Sequence, residues 1–164
     1  MRQLIVICRL AVLFALSPLA CLSLAVAGPA TTIDFNIEST SLRSVPDAVS
    51  AAIRRDANRP NPECALVGMP IHLSSDRKVE GYVVTTAEAC DWGGATGPIW
   101  LIQSGATPTV VLSGNGYSLQ LSKASSHGLL DAHLRAATSG WSYDELWVYD
   151  GRRYVLKSHK SLGP

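Results

Sequence analysis

Charge of one sign is what this sequence most lacks. Fourteen Lys and Arg stand against 13 Asp and Glu over 164 residues. Without a basic surplus there is no footprint for a phosphate backbone, which argues against nucleic acid as the main partner. Signature motifs of catalysis are missing as well. The chain carries no Gly-x-Ser-x-Gly elbow, no phosphate loop ending in Gly-Lys-Ser/Thr, and no Cys-x-x-Cys pair. It has no internal repeat and no low-complexity tract. Beyond residue 27 no apolar run is long enough to cross a bilayer.

What is present begins with the first 28 residues. Arg2 and Arg9 form a basic start, and Leu10 to Leu24 is apolar apart from Ser17, Pro18 and Ser23. Ala25-Val26-Ala27 then offers the small residues that a signal peptidase needs. The expectation is a signal peptide over 1–27 and a single domain over 28–164, periplasmic or secreted, with no membrane span after cleavage. Two alternatives fit less well. A transmembrane anchor from Ile5 to Ala27 is broken by Pro18. A lipid anchor on Cys21 would want an aliphatic residue where Pro18 stands. Loss of the signal leaves 12 basic and 13 acidic residues and two cysteines, Cys64 and Cys90. In an oxidising compartment two thiols pair. Their bond would close about 25 residues and stabilise by roughly 3.5 kcal/mol on the chain-entropy account.

One helix is expected. Ser44-Val45-Pro46-Asp47 supplies a capping Ser, a first-turn Pro and an acid three residues after the cap. Val45, Val49, Ala52 and Ile53 follow at helical spacing, Arg54 and Arg55 suit the negative end, and Asn58 to Pro62 stop it. The rest reads as β: runs at 32–37, 66–73, 79–86, 98–103, 109–113, 117–121 and 129–137, then a closing aromatic hairpin around Asp150-Gly151. Asn115-Gly116 as a two-residue turn would set Leu112 opposite Leu119 and Val110 opposite Leu121, all on one face. A two-residue turn at Asp150-Gly151 would set Trp147 across from Tyr154, and a longer turn would shift that register. The fold class expected is α+β: one N-terminal helix on a largely antiparallel sheet of about seven strands, with one disulfide.

Candidate chemistry is sparse. Val83 to Cys90 resembles the segment around the catalytic His of trypsin-like proteases, but Ala89 stands at the His position and no nucleophile motif follows. His127, Asp131 and His133 form the best polar cluster. Asp131 and His133, two apart on a strand, share a face and could offer zinc two ligands. A third would have to come from His127, His72 or His159, and a solvent-facing strand explains the pattern more simply, so no metal is assigned. Gly93 to Gly97 reads as a flexible loop. Asp144 and Glu145 are adjacent and fall on opposite strand faces, while Glu63, Glu80 and Glu88 are too dispersed to pair by sequence. No catalytic residue and no cofactor is assigned.

The aromatics remain. Most of Trp92, Trp100, Trp141, Tyr143, Trp147, Tyr149 and Tyr154 must fill a core. The last hairpin is nevertheless apolar on both faces, which makes Trp92, Trp147, Tyr149 and Tyr154 the candidate partner-binding residues. The segment His127-Gly128-Leu129-Leu130-Asp131, followed by Trp147 to Tyr154, resembles small secreted bacterial proteins of uncharacterised families. Those end in a Gly-Leu-x-Asp strand and an aromatic-Asp-Gly-x-x-Tyr hairpin. The resemblance covers about a quarter of the chain and implies a periplasmic β-rich domain. The functional expectation is a non-enzymatic binding protein, most concretely an inhibitor or immunity protein against a cell-envelope hydrolase, whose partner is a protein or a cell-wall component. Its rivals are a small hydrolase with an acid–base site assembled by the fold, and an accessory module of an envelope assembly.

Overall fold

The computed structural model describes residues 34–138 and 140–163; the expected signal peptide and its cleavage site lie outside them. The chain runs β1 (Asp34–Asn36), β2 (Arg43–Ser44), α1 (Asp47–Arg54), β3 (Leu66–His72), β4 (Glu80–Thr86) and β5 (Gly97–Gln103). It continues through β6 (Thr109–Gly116), β7 (Ser118–Ser126), β8 (Leu129–Ala137), β9 (Ser142–Tyr149) and β10 (Tyr154–Leu162). These ten strands form two five-stranded antiparallel sheets, ordered β1-β7-β8-β9-β10 and β2-β3-β4-β5-β6. The protein is therefore mostly β. The single seven-stranded sheet expected from sequence is replaced by two sheets face to face.

The cause lies in strands that bury both faces. Val83, Ile99 and Leu101 enter the core between the sheets, where Phe35, Leu119, Leu121, Ala132 and Leu134 meet them. Their chain neighbours Val84, Trp100 and Ile102 point the other way and pack under α1 against Val49 and Ile53. Unbroken apolar runs such as Ile99 to Ile102 follow from this double coverage. The helix is as expected in place but not in its cap. Ser44 is tied to Val67 in the β2–β3 ladder, so the cap falls later, at Pro46, whose carbonyl accepts from the Val49 and Ser50 amides.

The hairpin expected at Asn115-Gly116 does not form. β6 pairs with β5, and β7 pairs with β1 and β8, so the chain passes from one sheet to the other at Tyr117. Leu112, Leu119 and Leu121 do share the core, but across the sandwich, while Val110 packs toward the helix side. A type I′ turn needs positive φ at both central residues, and neither Asn115 nor Gly116 has it. The glycines serve close approach instead. A Cβ on Gly114 would meet Leu134 at 2.8 Å and one on Gly116 would meet it at 2.9 Å, so their absence lets β6 lie on β8.

The closing hairpin does form, with the longer turn. Tyr149 faces Tyr154 and Trp147 faces Leu156, a shift of two residues that preserves which side chains share a face. Gly151 at φ +99 allows the turn, and the Asp150 carboxylate accepts the Arg152 and Arg153 amides at 2.8 and 2.9 Å. Cys64 and Cys90 are bonded, joining the loop after α1 to the turn after β4.

Candidate functional site

β6 and β10 are the outer strands of their sheets, and each lacks a ladder partner on one side among the described residues. They come alongside one another without pairing, and a cavity of about 430 Å³ lies between them. Val110 to Ser113 form one wall, Arg153 to Leu156 the other, Trp147 belongs to the floor, and Asp56 to Asn58 close the end below α1. The cavity follows from topology: a sandwich whose two sheets are not zipped at this seam leaves two strand edges whose outward backbone donors and acceptors have no ladder partner among the described residues.

Two of the four aromatic candidates, Trp147 and Tyr154, line this cavity, and a third, Tyr149, packs on Tyr154. Trp147 is half-buried, donates Nε1–H to Glu145 Oε2 at 3.0 Å and lines the cavity. Tyr154 is 3% exposed, and its hydroxyl donates to the Leu130 carbonyl at 2.6 Å. Burial, with the charge of Asp131 and the neighbouring Tyr149 adding to it, holds that phenol far above its ordinary pKa. Tyr149 is half-buried and tilts against Tyr154 with ring centroids 5.5 Å apart. Trp92 is elsewhere. It lies on the β4–β5 connection, donates to Thr86 Oγ1 at 3.1 Å and packs against Gly97, whose missing side chain makes room for the ring.

The polar cluster is rearranged. Asp131 is only 8% exposed and its Oδ1 has no hydrogen bond among the described residues, so the solvent-facing reading of Asp131 is corrected. The β7 register jumps between Leu121 and Ser125 directly opposite it, and simple alternation breaks there. His133 is half-buried rather than open, with Nδ1 on Asp144 Oδ1 at 2.8 Å. Arg135 donates to the other Asp144 oxygen at 3.0 Å and to Gln120 at 3.0 Å. Burial pushes the Asp144 carboxyl upward, but the bonds from His133 and Arg135 outweigh it and leave the pKa lowered. His127 turns aside to the Tyr149 carbonyl. His127, Asp131 and His133 are thus not gathered into a ligand set. Among the described residues the one group of three close ligand atoms is Cys64, Cys90 and Asp91, and both sulfurs are spent on the disulfide.

Sequence reasoning missed a second histidine–carboxylate pair. His159 Nδ1 lies 3.1 Å from Glu145 Oε1, and its ring stacks on Tyr143, which stacks on the exposed Trp141. Asp144 and Glu145 are consecutive on β9, so the two pairs occupy opposite faces of the sheet and do not act on one substrate. Only the β9–β10 register brings His159 opposite Glu145, and no spacing rule reads that across a bulge. No family model, no curated protein and no solved structure matches the chain.

Proposed function

We propose that this chain is an exported, non-enzymatic binding protein that takes its partner at the seam between β6 and β10. The observation that supports the reading is the cavity itself: two strand edges without a ladder partner among the described residues, and a lining that includes Trp147, Tyr154 and the exposed Arg153. Recognition sites combine such an apolar anchor with a few convergent polar groups. An inhibitor or immunity protein against a cell-envelope hydrolase is the most concrete form, because export, small size and a disulfide suit a stable envelope partner.

Capture and inhibition of purified envelope hydrolases, measured with the melting temperature of each variant, test it. Trp147→Ala and Arg153→Ala are expected to weaken capture about tenfold or more. Arg153 is exposed, so its variant should melt like the parent. Capture insensitive to both changes would overturn the assignment of the cleft, and a panel that is neither bound nor inhibited would overturn the inhibitor form.

The second reading, a small hydrolase, draws on one observation: Asp144 orients the His133 imidazole as a general base is oriented. Turnover lost in both His133→Ala and Asp144→Asn, on any cell-wall substrate, would favour it. The binding reading expects both variants to keep the partner.

A further inference from the structure

The edge strand beside the cleft has a charge pattern that the cleft alone does not explain. From Gly151 to Pro164 the chain carries Arg152, Arg153, Lys157 and Lys160 and no acid. None of the four cations makes an ion pair among the described residues. The acids nearby are engaged elsewhere. Asp144 holds His133 and Arg135, Glu145 holds His159 and Trp147, Asp150 is turned back onto the amides of its own turn, and Asp56, at the end of the cleft, accepts the Asn58 amide at 2.9 Å. Residues 156 to 161 of β10 are exposed, including Leu156 at 48%.

Lysines on an edge strand commonly guard it against pairing with further chains. That explanation accounts for Lys157 and Lys160 but not for the rest. A guarded edge gains nothing from an exposed leucine, nor from an arginine at the mouth of an aromatic cavity. A second copy of this chain is a poor occupant, because pairing β10 with itself would bring like charges into register. The complementary occupant is an extended polypeptide of opposite sign.

Resting on the binding reading above, we infer that the partner docks as an acidic extended segment. It adds as a strand to the free edge of β10, with an acidic side chain at Arg153 and an apolar one in the cleft over Trp147. Backbone hydrogen bonds along the edge supply affinity, and alternate side chains supply selection. The guanidinium of Arg153 has the fork geometry that a carboxylate accepts in two bonds.

Fluorescence anisotropy with strand-length labelled peptides tests this on the mature chain. The set is an alternating Glu–Val peptide, its Lys–Val counterpart, and two Glu–Val peptides N-methylated on complementary alternate amides. The Glu–Val peptide should bind at least about tenfold tighter than the Lys–Val one and weaken with salt. One N-methylation pattern should abolish binding and the other should spare it, since only alternate amides face the edge. Arg153→Glu and Lys157→Glu, both at exposed positions, should each weaken binding about tenfold at unchanged melting temperature. Equal binding of both charges, indifference to either N-methylation pattern, or equal competition by polyphosphate would overturn the inference. If hydrolase capture still depends on Trp147 while the acidic peptide does not bind, this inference fails and the binding reading stands.

Discussion

Replacing both Cys64 and Cys90 by alanine probes how this fold holds its least regular region. The bond spans a sequence separation of 26, for which chain entropy alone gives about 3.5 kcal/mol. Two local features modify that figure. Glu88, Ala89 and Asp91 sit at φ +53, +55 and +60 around Cys90, a conformation that L-residues resist by about 1–2 kcal/mol each. Release of the staple lets this turn relax in part. Other contacts keep the region in place: the Ala87 amide on the Ala65 carbonyl, the Asn61 amide on Asp91, and Arg54 on the Asn61 and Cys64 carbonyls. The net loss should be about 3 kcal/mol. With a urea slope of about 1–3 kcal/mol/M, the midpoint falls by roughly 1–3 M. Equilibrium urea unfolding of both proteins, fitted with their slopes, gives the comparison. A loss below about 1 kcal/mol at unchanged slope would refute the reasoning and assign the turn to its hydrogen bonds.

Trp100 is 1% exposed between α1 and the second sheet, and its Nε1 has no hydrogen bond among the described residues. Trp100→Ala should cost about 3–5 kcal/mol in thermal or urea unfolding, and Trp100→Phe distinctly less, because Phe removes the unpaired N–H as well as volume. The Asp76 carboxyl is lowered from 3.8 to about 2, chiefly by the Ser74 hydroxyl, then by the Lys78 amide and side chain. A folded value below the unfolded one means the contribution is complete above about pH 3.8 and is lost as the pH falls toward about 2. Carboxyl NMR should place the midpoint near the lower value, and Ser74→Ala should move it back up. Intact mass of exported protein should place the mature N-terminus at Gly28, and a diacylated Cys21 or a retained signal would reject that.

The disulfide and the helix were legible in the sequence because each rests on local or compositional rules. With Cys8 and Cys21 assigned to the expected signal peptide, Cys64 and Cys90 allow one pairing, and Val49, Ala52 and Ile53 mark a helical face without reference to anything distant. Most strand positions were legible for the same reason, but the two-residue β2 carries no apolar alternation, and β7, β9 and β10 run on into polar residues beyond the apolar segments that mark them. Sheet membership was not legible. Leu112, Leu119 and Leu121 have the parity of a hairpin and also the parity of two strands meeting across a sandwich, because both arrangements ask only that the three side chains point to one core. What separates them is the reason for Gly114 and Gly116. Glycine at a turn and glycine under a neighbouring leucine read identically until Leu134 is in place. The closing hairpin shows the converse. Its turn length differed from the two-residue form, yet the side chains kept their faces, since a shift of two residues preserves parity where a shift of one would not.

The candidate site depends on that same topological choice. Had β6 paired with β7, β6 would have had a partner on each side and no cleft would open beside Trp147. Because the chain instead changes sheets at Tyr117, β6 and β10 are both left as edges, on the side of the sandwich where the aromatic hairpin closes. The aromatics then divide by depth rather than by kind. Tyr154 is spent on the core, Trp147 is shared between core and cleft, and Leu156 one pair further along is open. A hairpin apolar on both faces therefore does not require a binding surface. The binding proposal rests instead on the free edge of β10, on four cations that make no ion pair among the described residues, and on the cleft beside them.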